Sequence, residues 1–328
     1  MKQLLNFLTA RFIALAVGLM FAATTRAPAQ VTNFTTNVWA VNASGSWTNP
    51  ANWNPNTSFP DSFGAVALIT NNMGANRVLA LETNITIGAL YFGDSDRGSQ
   101  IDIRTTNMVI TFDSGDGGQA LLVHGTGERP GMDFGNGSDD IDAGINLTDP
   151  EGLFIDAWQN LVFNGRPGAL GAEPARAFNG NGHNITKGED NGIFFRTITT
   201  NIGTLFVRDG WVEFGMEGNP LLKPGVSNVV LGVAPGVVDT GANPSGVITN
   251  TGEGGAYDRV QFPVFQITGA NNTNTAFAGQ IATNSFDMTI NRGYFRSFNR
   301  PQTNGLPSVY GGTFTINGNA NEVFILTE

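Results

Sequence analysis

The chain has 328 residues, with 43 Gly, 15 Pro, two His and no Cys, so a disulfide scaffold and a thiolate metal site are both excluded. Seventeen Lys and Arg against 27 Asp and Glu give a net charge of −10, which argues against electrostatic capture of nucleic acid or of an anionic membrane surface. Hydrophobic residues at 41% are enough for a large core and too many for a wholly disordered chain.

At the N-terminus, Lys2 and Arg11 bracket the start, an apolar run extends from Phe12 to Ala23, and Ala27-Pro28-Ala29 supplies small residues. This pattern predicts a secretory signal peptide over residues 1–29, cut before Gln30. The run falls short of the roughly 20 residues that span a bilayer. Nothing later approaches that length, so no integral membrane segment is expected after cleavage. Loss of Lys2, Arg11 and Arg26 leaves 14 basic against 27 acidic residues. The expected mature chain is acidic and exported, either secreted or displayed at the outer cell surface.

Residues 30–63 are rich in tryptophan: Trp39, Trp47 and Trp53, with Phe59 and Phe63 nearby. Two readings fit. The indoles close the open end of a strand stack, which otherwise exposes core and strand edges, or they form a glycan-binding platform on which sugar rings stack.

From residue 64 to 328 no stretch keeps apolar residues at helical spacing for three turns. Short runs rich in Ile, Val, Leu, Phe and Thr recur instead, each bounded by Gly, Asn or Asp. They include 65–69, 85–87, 89–92, 108–112, 120–123, 161–163, 193–195, 204–207, 229–231, 264–267 and 314–316. An all-β fold follows. A phrase of the type Thr-Asn-Ile-Thr recurs at 83–86, 106–111, 184–186 and 200–202, and Asn84 and Asn107 lie 23 residues apart. That interval suits one coil of a parallel β-helix, with Asn and Gly at corners where left-handed backbone angles are needed. An irregular β-sandwich is the alternative. Loop insertions are expected near 125–182 and 235–257, where the strand rhythm loosens.

Candidate chemistry is sparse. His124 and His183 stand apart, and no Gly-x-Ser-x-Gly occurs, so a Ser-His-Asp site is not expected. The stretch from Asp133 to Asp142 offers Asp133, Asp139, Asp140 and Asp142 as oxygen ligands, the kind Ca²⁺ takes, or alternatively as solvated turn residues. Asp139, Asp140 and Asp142 are also candidates for the acid and base of a polysaccharide hydrolase or lyase. The few scattered cations argue against a lyase, which would need them to neutralise substrate carboxylates.

The segment Val38-Trp39, Gly45-Ser46-Trp47, Asn52-Trp53, Pro60 and Ala65-Val66-Ala67-Leu68 resembles the opening of bacterial autotransporter-associated β-strand repeat proteins. The phrase Tyr310-Gly311-Gly312-Thr313-Phe314-Thr315-Ile316-Asn317-Gly318 is similar to that family's repeat unit. The two matches cover about sixty residues. The resemblance implies a right-handed β-solenoid displayed at or beyond the outer surface, and it brings no catalytic residues. The expected function is an exported structural or adhesive module that meets an extracellular polymer or surface. A secreted carbohydrate-active enzyme and a glycan-binding module are the alternatives.

Overall fold

Alternating burial makes the strands. In a computed structural model, the described residues are 35–95, 98–125, 139–157, 160–164, 176–188, 192–215, 224–232, 264–268, 283–291, 293–298, 309–318 and 323–327. The segment expected to be a signal peptide, Asp133 and the expected insertion at 235–257 lie outside them.

The first strands are β1 (Thr36–Trp39), β2 (Gly45–Ser46), β3 (Trp53–Asn54), β4 (Val66–Ile69), β5 (Arg77–Ala80), β6 (Ile85–Ile87) and β7 (Ala89–Phe92). Then follow β8 (Ile101–Phe112), β9 (Ala120–His124), β10 (Asp139–Leu147), β11 (Leu153–Ala157), β12 (Leu161–Asn164), β13 (Phe178–Asn179) and β14 (Ile185–Gly188). Next come β15 (Gly192–Arg196), β16 (Thr199–Thr200), β17 (Ile202–Val207), β18 (Trp211–Phe214), β19 (Val226–Leu231) and β20 (Val264–Thr268). The last are β21 (Thr283–Ser285), β22 (Asp287–Ile290), β23 (Gly293–Phe298), β24 (Val309–Gly311), β25 (Phe314–Ile316) and β26 (Val323–Thr327). All eleven runs predicted above fall on these strands.

Two long sheets collect most of them. The first has the order β3-β1-β4-β7-β9-β11-β14-β17-β19-β22-β25, and the second contains β2-β5-β8-β10-β12-β15-β18-β20-β23-β26. Apart from β3, which lies outside β1, each is ordered by sequence, and from β4 onward the chain visits them in turn. A narrower strip joins the second sheet through β6, the C-terminal halves of β8 and β10, β13 and β16. Among the described pairs only β1 with β3 is antiparallel. Parallel strands need a crossover of a dozen or more residues, and here the crossover is the visit to the other sheet.

The 23-residue interval is realised between β4 and β7, where Val66 faces Ala89. At the recurrent Asn phrase the register is Ile85 with Ile110 and Thr86 with Thr111, an interval of 25. One residue of the difference is already present where Arg77 faces Ile101, an interval of 24, and the other enters within β8, where the Met108 N–H donates to Thr105 Oγ1 (3.1 Å). Loop insertions were expected near 125–182 with a strand only at 161–163, yet that interval contains β10, β11 and β13 as well as β12.

Inward side chains stack in columns along the sheets. In the first sheet, Ala67, Leu90, Leu122 and Ile155 are successive register partners or sit at the same position on successive strands, and all are buried. In the second, Phe163, Phe195 and Phe214 stack with ring centroids 5.1 and 4.5 Å apart and planes within 15°. Burying each Leu, Ile or Phe of these columns contributes about 1.5–3 kcal/mol.

Corners are closed by side chains that reach from one circuit of the chain to the next. Asp61 Oδ1 accepts the Thr86 N–H (2.9 Å), Asn84 Oδ1 that of Val109 (2.9 Å), and Asn184 Oδ1 that of Thr204 (2.8 Å). Two of the recurrent Asn, Asn84 and Asn184, therefore supply an acceptor for a backbone donor that the ladder leaves unmet. Left-handed backbone occurs among non-glycine residues at Asn181 and Asn201, with φ of 49° and 53°. Gly152 is required for two reasons: its φ is +88°, and a Cβ there would lie 2.2 Å from the Asn184 carbonyl oxygen.

Candidate functional site

Strand β10 carries the Asp-rich stretch, and the period of two divides its carboxylates between the two faces of the sheet. Ile141 belongs to the core, so Asp139 points inward beside it, whereas Asp140 and Asp142 point outward. Asp139 accepts the Ile101 N–H (2.8 Å) and lies 2.9 Å from Nε2 of His124. His124 is fully buried and its ring centroid is 4.7 Å from that of Phe92. Since β9 belongs to the first sheet and β10 to the second, this pair ties the sheets together inside the core. It satisfies two polar groups that burial would otherwise penalise.

The outward residues form two rows across four adjacent strands. One row runs Asp102, Asp140, Val162, Phe194, and the other pairs Arg104 with Asp142 and Asn164 with Arg196. Lateral bonds link them. Asp102 accepts Arg104 Nη2 (2.5 Å), Gln100 Nε2 (3.0 Å) and the Asp140 N–H (3.3 Å). Asp140 accepts Asn164 Nδ2 (3.1 Å), and Asp142 accepts Arg176 Nη1 (2.5 Å). Arg176 is held in turn by Thr197, whose hydroxyl donates to the Arg176 carbonyl (2.7 Å). The Arg196 guanidinium lies 5.7 Å from the centre of the Phe194 ring, which also meets Trp211 at 5.9 Å.

Four of these outward side chains are shielded from solvent: Asp102 is 4% exposed, Asp142 2%, and Val162 and Phe194 are also buried, although none belongs to the core cluster. Their neighbours Asp140, Asn164 and Arg196 are half-buried and the Arg104 side chain is 37% exposed, so the outer surface here is shielded only in part. Burial pushes the Asp102 carboxyl above its ordinary range, against the opposing pull of Arg104 and the Asp140 N–H. Burial likewise raises Asp140; the Asn164 bond opposes this and the Asp102 charge adds to it.

The predicted calcium set does not assemble among the described residues, where no three carboxylate or imidazole groups converge in metal-binding geometry. Asp139 faces the core while Asp140 and Asp142 face outward, so the three do not point to one ligand. The sequence missed Asp102, Arg104, Asn164, Arg176 and Arg196 as their neighbours. Its available signal was the matching spacing of Asp102-x-Arg104 and Asp140-x-Asp142. His183 lies at a corner, away from these groups, where its N–H donates to the Gly180 carbonyl (2.8 Å).

The sugar-platform reading of Trp39, Trp47 and Trp53 gives way to packing, because the three side chains are 0–1% exposed. Trp53 meets Trp39 edge to face at 5.1 Å and Trp47 at 5.0 Å. Trp47 Nε1 donates to the Pro60 carbonyl (3.2 Å) and Trp53 Nε1 to the Trp47 carbonyl (2.7 Å). No indole face is left for a pyranose.

No family model, curated protein or solved structure matches the chain.

Proposed function

We propose that the chain is an exported right-handed β-solenoid, related to the autotransporter-associated repeat proteins, that serves as a structural or adhesive module at the cell surface. The sequence-ordered pairing of both sheets supports the solenoid. A stack of this kind presents a long wall to an extracellular polymer or surface, and its stability comes from repeated neighbour contacts. The observation that carries the non-catalytic reading is the engagement of every described candidate carboxylate by a neighbouring side chain: Asp139 with His124, half-buried Asp140 with Asn164, and Asp142 with Arg176. A catalytic pair needs an open approach for the glycosidic oxygen and for water, and Asp102 and Asp142 are buried.

The competing reading is a glycan-cleaving enzyme, favoured by the neighbouring Asp102 and Asp140 with raised carboxyl pKa values. Incubation of the purified chain with soluble polysaccharides, assayed for reducing ends and for unsaturated products, separates the two. The expected result is no product, together with retention on insoluble cell-surface glycan or on whole cells. Product formation that disappears in Asp140→Asn would overturn the module reading.

A further inference from the structure

The outer face of the first sheet is unlike the wall that carries Asp102 and Asp140. Ala67, Leu90, Leu122 and Ile155 point into the core, so with a period of two their chain neighbours point outward. One outward row runs in register through Leu121, Phe154, Thr186, Phe206 and Val230, from β9 to β19. Beside it Leu68, Tyr91 and Val123 form a second row, which Asp156 and Gly188 continue. All but Thr186, Asp156 and Gly188 are half-buried and so keep part of their surface in water. Asp156, 9% exposed, is the single charged residue that these two rows contain.

The aromatic members are evenly placed. Tyr91 lies on β7, Phe154 on β11 and Phe206 on β17, each two strands from the next along the sheet. With strands about 4.8 Å apart, their backbone positions step by about 9.6 Å. The tip of the Phe154 ring fills the space above Gly188, where a Cβ would lie 2.8 Å from its Cζ. Gly188 belongs to the row of Tyr91, so the Phe154 ring leans over from its own row into that one.

The dimensions select among occupants. From β4 to β19 the stripe is about 29 Å long, and its two rows lie about 7 Å apart, an area of roughly 300 Å² with the side chains included. Each partner in a stable protein complex buries about 800 Å², too much for this stripe to hold a second copy by itself. A membrane surface bearing anionic lipids would need basic residues here, and the rows have none. A contiguous apolar strip on a wetted wall marks a site of interaction. An extended polysaccharide of uncharged sugars suits it: the chain is narrow, its sugar rings offer apolar faces to aromatic side chains, and two β-linked units advance by nearly the step between the rings.

We infer that the outer face of the first sheet is a binding stripe for an extended, uncharged polysaccharide, with Tyr91, Phe154 and Phe206 as the rings on which successive pairs of sugars rest. This deepens, and rests on, the reading of the chain as a module that meets an extracellular polymer.

The test is retention of the full chain on microcrystalline cellulose, chitin and insoluble mannan, with calcium pectate as the anionic comparison. The parent should be held by at least one neutral polymer and more weakly by pectate. Phe154→Ala and Phe206→Ala should each weaken retention about ten-fold, whereas Phe154→Tyr and Phe314→Ala, the latter off the stripe, should not. Retention on whole cells without retention on any neutral polymer, or retention unchanged in the Phe154→Ala/Phe206→Ala double variant, would overturn the stripe and leave the module reading standing. Failure to bind any polymer or cell would overturn both. Dimerisation of the parent that is lost in the double variant, with no polymer bound, would assign the face to a second copy instead. If the variants do not fold, aromatic NMR of the parent titrated with the soluble hexasaccharides of the same polymers decides. Shifts confined to Tyr91, Phe154 and Phe206 support the stripe; shifts elsewhere, or none, refute it.

Discussion

The two ends of the strand stack are finished differently. At the N-terminal end, β3 runs antiparallel to β1, with Trp39 opposite Trp53, and three indoles fill the mouth of the core at 0–1% exposure. At the other end, β25 and β26 are the last strands of their sheets among the described residues, and the positions that continue the core columns are partly exposed. Phe314 follows Met288, Ile316 follows Ile290 and Ile325 follows Phe295 in register, yet they are 38%, 52% and 49% exposed. The difference shows what ending a parallel stack requires. Further strands only move the open edge along; a change of strand direction together with a bulky plug stops it.

The sharpest way to break this comparison is to remove aromatic groups from each end. Trp47→Ala should cost about 3–5 kcal/mol, because the cavity has no room to collapse between Trp53 and the first circuits. Phe314→Ala, an excision of similar type, should cost about 1–2 kcal/mol, since Phe314 is 38% exposed and loses chiefly its contact with the Phe295 ring. Urea denaturation midpoints of the two variants check this, and equal losses would mean that both ends are closed alike.

Between the ends, corner positions should give intermediate effects. Gly152→Ala forces a Cβ into the Asn184 carbonyl and demands an unfavourable φ, so a loss of roughly 1–3 kcal/mol is expected. Asn84→Ala strands the Val109 N–H and should cost about 1 kcal/mol. Thermal melts of both variants would sharpen the comparison by showing whether the walls depend on corner bonds as much as the N-terminal end depends on its indoles.

These positions also show why some of the fold was legible and some was not. Runs such as Ala89-Leu90-Tyr91-Phe92 announce themselves because one face is apolar, and each proved to be a strand. Strand β10 was obscured because its first four residues include three aspartates, which suggest a turn. Its pattern was present all the same in Ile141, Ala143, Ile145 and Leu147 at a period of two. Inward Asp139 broke the apolar side of that pattern, and its partner His124 is recognisable only once the sheets face each other. The carboxylate neighbours were hidden for another reason: Asp102 and Asp140 are 38 residues apart in sequence but adjacent across the ladder. Coil intervals vary with the insertions, so register cannot be counted from the sequence. The tryptophans were visible as a cluster, but whether they face the core or the solvent depends on the antiparallel turn of β3.

The smallest expected effect separates the closed end from the Asp-bearing wall by pH. Glu82 accepts hydrogen bonds from the hydroxyls of Ser46 and Thr48, joining the first circuit to the second, and these bonds hold its carboxyl below the ordinary glutamate value of 4.5. A depressed folded-state value contributes stability that is present above pH 4.5 and lost as pH falls through the folded-state value. That is opposite in sign to Asp102 and Asp140, whose carboxyls burial raises. Glu82 is exposed, so solvent screening keeps the effect small, roughly 1 °C or less in melting temperature. Glu82→Gln should therefore leave the melt almost unchanged at pH 7 and remove a slight acid sensitivity near pH 4. Amide hydrogen exchange at Trp47 and Ala80, followed in the parent and in Glu82→Gln, gives the local readout. Faster exchange at Trp47 on acidification of the parent, absent from the variant, is the expected outcome; identical exchange in both would show that the closed end owes nothing to this clamp.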